Sequence, residues 1–134
     1  MAGSKSDFLE NELLDHVYGN AAYAAPATVY VALFTVAPTD AGGGTEVTGG
    51  SYGRLAVTNN ATNWPAASGG AKSNGTVFTF ATATADWGTV VAFAIFDALT
   101  AGNMLSWATL TTNKTVSNGE TAKFAVGDLD ITED

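Results

Sequence analysis

His16 is the single histidine of the chain, and it stands beside Asp15. A histidine oriented by a carboxylate is the base of a Ser-His-Asp triad, but it needs a serine facing it across the fold. None of Ser51, Ser68, Ser73, Ser106 or Ser117 resembles a nucleophile elbow, the strained turn that exposes a catalytic hydroxyl. His16 therefore reads as a surface or core-edge residue of a helix. One histidine and no cysteine cannot build a typical zinc site. Paired carboxylates are the next chemistry to test, because glycosidases work with two positioned acids. The mid-chain acids are Asp40, Glu46, Asp86 and Asp97. Asp86 precedes Trp87-Gly88 and Asp97 ends an apolar run, settings where aspartate serves a turn. Asp128-x-Asp130 near Glu133 carries oxygen ligands of the kind calcium takes. The EF-hand pattern is absent, and Leu129 and Ile131 alternate with the acids as in a half-buried strand. The glycines between Gly42 and Gly50 lack a following Gly-Lys-Ser/Thr and lead into no helix, so they form no phosphate loop. These residues give no catalytic residue, no cofactor-binding residue and no metal ligand.

The elements that would position such groups are mostly strands. Ser6-Asp7-Phe8-Leu9-Glu10 opens a helix over about 6–19. Ser6 or Asp7 can cap it, and Asp7 with Glu10 has capping-box spacing. Leu9, Leu13 and Val17, flanked by Leu14 and Tyr18, give it one apolar stripe. Four acids, Asp7, Glu10, Glu12 and Asp15, sit near its start, where the macrodipole favours them. Gly19-Asn20 ends it. After Pro26 the pattern changes to Thr28–Val36, a β-branched and aromatic run that predicts a buried central strand. Pro38 stops it, and the glycine-rich stretch 39–50 predicts an exposed flexible loop.

Tyr52–Thr58 predicts a second strand. The polar stretch 59–75 predicts a long loop, with Trp64 either anchoring it to the core or facing a partner. Strands then follow over 76–81 and 89–97, with Trp87 as a core anchor between them. A hairpin partner spans 104–111, and a turn falls at Asn118-Gly119. One last strand over 121–132 is broken near Gly127-Asp128, the mark of a bulge. The expected fold is a single domain over 1–134, mainly β. Its architecture is a β-sandwich or partly open barrel of about six or seven strands with a short N-terminal amphipathic helix.

Composition narrows the function classes. Charged residues make up 13% of the 134 residues, hydrophobic residues 46%, and the net charge is −8. The five basic residues, Lys5, Arg54, Lys72, Lys114 and Lys123, are scattered, so no stripe exists to neutralise phosphates and nucleic acid is not an expected partner. Acids also gather at the C-terminus: Asp128, Asp130, Glu133 and Asp134. No basic segment followed by an apolar run opens the chain, and no 18-residue apolar stretch occurs, so neither a signal peptide nor a membrane span is expected. Absence of cysteine excludes disulfides and thiolate metal sites. A surface of small neutral residues suits packing against copies of the chain or a lattice, and equally suits a secreted β domain. The loops 39–51 and 59–75 are the expected contact surface.

Several blocks resemble a family of small proteins encoded by tailed double-stranded DNA bacteriophages. They are Leu13–Val17, Thr28–Thr35, Pro38–Gly42, Gly44–Val47, Ala83–Val90, Ile95–Ala98 and Gly102–Leu105. The Tyr30–Thr35 and Asp86–Gly88 blocks are the most specific. The resemblance implies a non-enzymatic virion structural protein, assembled in the host cytoplasm, with no cofactor. Its implied partners are the major capsid protein or other virion proteins, together with copies of itself. Such sequences often carry the label tail fibre protein. A true fibre needs a long repetitive shaft, so the resemblance is read first as a capsid decoration (cement) protein that stabilises the head. The alternative is a tail-tip or tail-fibre-associated protein involved in host-surface binding.

Overall fold

A computed structural model describes residues 3–132. Its elements in chain order begin with β1 (Gly3–Lys5), α1 (Asp7–Val17), β2 (Thr28–Val36), β3 (Thr45–Glu46), β4 (Leu55–Thr58) and β5 (Ala71–Ser73). They continue with β6 (Phe78–Thr79), β7 (Gly88–Phe96), β8 (Met104–Val116), β9 (Lys123–Phe124) and β10 (Asp130–Thr132). The main sheet runs β1-β8-β7-β2-β3, with β4 also on β2, and every pairing is antiparallel. Two separate ribbons, β5 with β10 and β6 with β9, complete the fold. The sheet path does not return on itself, so the architecture is sandwich-like rather than a closed barrel.

β2 lies inside the sheet, as its composition predicts. One edge meets β7 over Tyr30–Phe34, and the other meets β4 over Thr28–Val31 and then β3 over Phe34–Val36. Strands alternate their side chains. Val31 and Leu33 therefore enter the main core, while Ala32 and Phe34 enter a smaller cluster on the opposite face. Covering both faces is why the run reads as almost continuously apolar. The main core closes under the two ribbons, where the Phe124 ring meets Phe93 edge-on at 5.7 Å and Trp64 meets Phe78 at 5.3 Å. The smaller cluster holds Ala92, Ala94 and Met104, with Phe96 and Trp107 partly buried beside it.

The structure departs from the sequence expectations at several places. α1 is capped by Ser6, whose hydroxyl accepts from the Leu9 amide at 3.2 Å. The residue three beyond that cap is Leu9, so Asp7 and Glu10 form no capping box. The apolar stripe of α1 is covered only at its start: Phe8 and Leu9 pack on the main core, while Leu14, Val17 and Tyr18 are exposed. β1 precedes the helix as a sheet edge, paired with β8 over Gly3–Lys5. The second strand begins at Leu55, not Tyr52. β8 continues to Val116, past the expected end.

The C-terminal stretch is not one bulged strand. Lys123–Phe124 pairs with β6 and Asp130–Thr132 pairs with β5, so the chain changes partner at Gly127, whose φ is 83°. Glu133 and Asp134 lie outside the described residues.

Candidate functional surface

Asp40, Asp86, Asp97 and Asp130 are placed by the elements just described, and each carboxylate ties a turn, a loop or a ribbon. The Asp86 carboxylate accepts from the Asn118 amide at 2.8 Å, tying two turns together. The Asp97 carboxylate accepts from the backbone and side-chain N–H groups of Asn103, at 2.7 and 3.0 Å, and so closes the β7–β8 turn. The Asp40 carboxylate accepts from the Trp107 indole at 2.9 Å and pins loop 39–44 to the sheet. The Asp130 carboxylate accepts from the Ser73 hydroxyl at 2.5 Å across the β5–β10 ribbon. Among the described residues, no group of three or more histidine, cysteine or acidic side chains is arranged for a metal ion. Glu133, the third of the suggested calcium ligands, lies outside those residues.

His16 does not approach a serine in a catalytic pair. Its Nδ1 accepts from the Tyr23 amide at 3.2 Å and steadies the chain leaving α1. Ser51 has one feature of a nucleophile elbow, its spacing and backbone, without the strand–turn–helix setting. Gly49-Gly50-Ser51-Tyr52-Gly53 carries the Gly-x-Ser-x-Gly spacing, and Ser51 has a φ of 63°. The turn leads into strand β4 rather than a helix, and the Ser51 hydroxyl bonds the Thr84 hydroxyl at 2.8 Å.

Arg54 and Glu46 form the densest polar network. The guanidinium grips the Glu46 carboxylate through two nitrogens, at 3.0 and 2.9 Å, and donates to the carbonyls of Ala98 and Ala101 at 3.0 and 2.8 Å. Its plane lies 3.7 Å from the Phe96 ring centre. This fork and stacking geometry is particular to arginine. Tyr52 joins the network by donating to Glu46 at 2.7 Å and accepting from the Leu33 amide at 3.0 Å. Burial, reinforced by the Glu46 bond, holds the Tyr52 phenol far above its ordinary value.

These anchors change the picture of both long loops. In 39–50, Val47 is buried and Glu46 is clamped by Arg54. The Gly50 carbonyl accepts from the Trp87 indole at 2.8 Å. A Cβ on Gly50 would meet the Ala85 carbonyl oxygen and the Trp87 ring at 2.9 Å, so only glycine fits this close approach. The stretch is therefore not a flexible loop along its length; its least anchored part is the turn around Gly43, next to the paired backbone bonds of Thr39 and Gly42. In 59–75, Trp64 is 6% exposed and is a core anchor, which decides between its two expected roles. Asn59–Thr62 and Pro65–Gly70 are its exposed parts, and backbone bonds between Ser68 and Ala71 close the turn at the end of the second.

Asn74, unremarked in the sequence, is 2% exposed and ties this loop to the C-terminal segment. Its amide donates to the carbonyls of Thr76 and Ala125 at 2.8 and 2.9 Å, and its oxygen accepts from the Leu129 amide at 2.9 Å. An asparagine followed by glycine gives no signal in sequence beyond a turn.

Two open grooves remain. One, of about 560 Å³, lies between loop 39–44 and the start of α1, with Phe34, Phe96 and Arg54 in its wall. The other, of about 500 Å³, lies between the far half of β8 and the segment 121–124.

Among the described residues, these polar groups are spent on turns, loops and interstrand ties of an antiparallel scaffold. The family model described as Podophage GP4 fiber I protein gp80 matches residues 4–132, and the chain belongs to that family. It is a virion structural protein of a tailed bacteriophage. No curated protein matches the chain.

Proposed function

We propose that this chain is a non-enzymatic building domain of a podophage fibre and that it joins other virion proteins through its exposed loop tips. The observation that carries this reading is the family match itself. Its description names a fibre, and it spans residues 4–132, every strand of the fold except the first residue of β1. The word fibre in that description supports this reading, and the capsid decoration expected from sequence is its alternative.

The geometry supports a contact role for the tips Asp40–Gly44 and Pro65–Gly70. Both are held in fixed shape by anchored neighbours: Asp40 by Trp107, and the Pro65–Gly70 tip by buried Trp64 and Asn74 on either side. Anchoring lowers the entropy lost when such a turn meets a partner. The tips present glycine backbone and small side chains, which suit close approach to a neighbouring protein.

The test is a phage carrying a deletion of the gene. A fibre role predicts DNA-filled heads of normal stability that lack one fibre type in negative stain. Heads that retain every fibre but lose resistance to heat or chelator would establish decoration instead.

A further inference from the structure

We infer that copies of this chain associate head to tail, with the exposed end of α1 from one copy seated in the groove between β8 and the segment 121–124 of the next. The inference rests on the reading of the chain as a repeated structural component.

The first observation is the helix. Leu14, Val17 and Tyr18 fall at i, i+3 and i+4 and are 55%, 62% and 80% exposed, so they form one uncovered apolar patch. The helix also carries Asp7, Glu10, Glu12 and Asp15, with Glu10 one turn before Leu14 and Asp15 beside it, and it holds no lysine or arginine. The second observation is the groove. β7 and β8 pair at Val90↔Lys114 and again at Ala92↔Thr109, so the single residue Val91 faces the four residues Leu110, Thr111, Thr112 and Asn113. The extra residues form one wall. The floor and sides are Val90, Leu110, Val116, Ala122 and Phe124, and Lys114 and Lys123 stand on the rim.

Charge selects the occupant. Of the five basic residues, Arg54 is committed to Glu46, Lys5 is buried, and Lys72 is half-buried with its ammonium near the Trp64 carbonyl. Lys114 and Lys123 are the exposed pair, and they border the same apolar groove. Asp128 lies at the groove as well, and Lys114 meets Glu120 at 3.7 Å in a solvent-exposed contact of little worth. An acidic helix with an apolar patch complements an apolar groove with a lysine rim. Helix-to-helix packing of two copies would set the four acids of one α1 against the four of the other, with no lysine or arginine on either helix to offset them. The contact is thus between two different surfaces, the arrangement that builds rings or filaments rather than closed two-fold pairs.

Sedimentation velocity on the full chain tests this without reference to the virion. The wild type should form species above monomer mass that grow with concentration and weaken with added salt. A helix variant, Leu14→Ser with Tyr18→Ser, and a groove variant, Lys114→Glu with Lys123→Glu, should each weaken association at least roughly tenfold. All four positions are exposed, and circular dichroism checks that each variant folds; Val17→Ser and Lys123→Glu alone serve if either does not. Mixing the two variants should give dimers and nothing larger, because one intact helix then meets one intact groove. A wild type that stays monomeric at all concentrations overturns the inference, as does a mixture that stays monomeric or a variant that associates like the wild type. Any of these results would leave the fibre reading standing, since that is decided on the particle.

Discussion

Replacing Asn74 with alanine should be among the most damaging polar substitutions in this protein, and the structure allows its size to be worked out. The side chain makes three good bonds, to the Thr76 carbonyl, the Ala125 carbonyl and the Leu129 amide. A buried group left without its partner costs about 1–3 kcal/mol. Leu129 is 0% exposed, so its amide carries that full range with no water to replace the bond. Ala125 is exposed and Thr76 half-buried, so their carbonyls can regain solvent and cost less, about 0.5–1 kcal/mol each. The sum is about 2–5 kcal/mol. For a domain of this size that lowers the melting temperature by roughly 7–18 °C.

Thermal unfolding of Asn74→Ala followed by circular dichroism reads the total. Amide hydrogen exchange reads the mechanism, because the Leu129 amide should lose protection more than amides of β2 do. Asn59→Ala is the control: Asn59 is exposed and its one side-chain bond is to the Pro26 carbonyl, so it should cost under about 1 kcal/mol. A melting temperature for Asn74→Ala within a degree or two of wild type, or a Leu129 amide that stays protected, would refute the reasoning.

Trp87→Ala should cost about 3–5 kcal/mol in chemical denaturation, since it empties a 5%-exposed site and releases the Gly50 carbonyl. Arg54→Ala should cost about 3–5 kcal/mol by the same assay, because it leaves Glu46 partly buried without its partner. Tyr52 sets an alkaline limit. Its phenol is raised above the ordinary 10.0, so stability is fully present below that value and falls as pH rises past it. Melting temperatures measured between neutral pH and pH about 11 should decline at the top of the range, and less steeply in Tyr52→Phe. Amides of Val31–Phe34 should exchange only through global unfolding, whereas that of exposed Gly43 should exchange at a near-free rate.

The parts of the fold legible in sequence were those governed by local pattern. Thr28–Val36 and Thr89–Phe96 announce themselves because residues buried on both faces leave an unbroken apolar run. Ser6 at the start of α1 is legible because capping is a local bond. The fate of 121–132 was not, because strand partners depend on what lies far along the chain: β9 meets residues 78–79 and β10 meets residues 71–73. Glu46 and Gly50 read as loop residues, since nothing nearby in sequence shows that Arg54 and Trp87 will hold them. The exposed face of α1 has the same stripe that a buried helix would have, and periodicity does not say whether a neighbour covers it. The Gly-x-Ser-x-Gly spacing at Ser51 is legible in sequence, but its partner Thr84 and the strand that follows it are set by the fold.

The central claim is that this domain belongs to a fibre of the particle, and cryo-electron microscopy of the intact virion tests it most directly. The account predicts density in a fibre that the six-stranded sheet, the two ribbons and α1 fit as one body. Density for the same body spread over the capsid lattice, with none in any fibre, would contradict it.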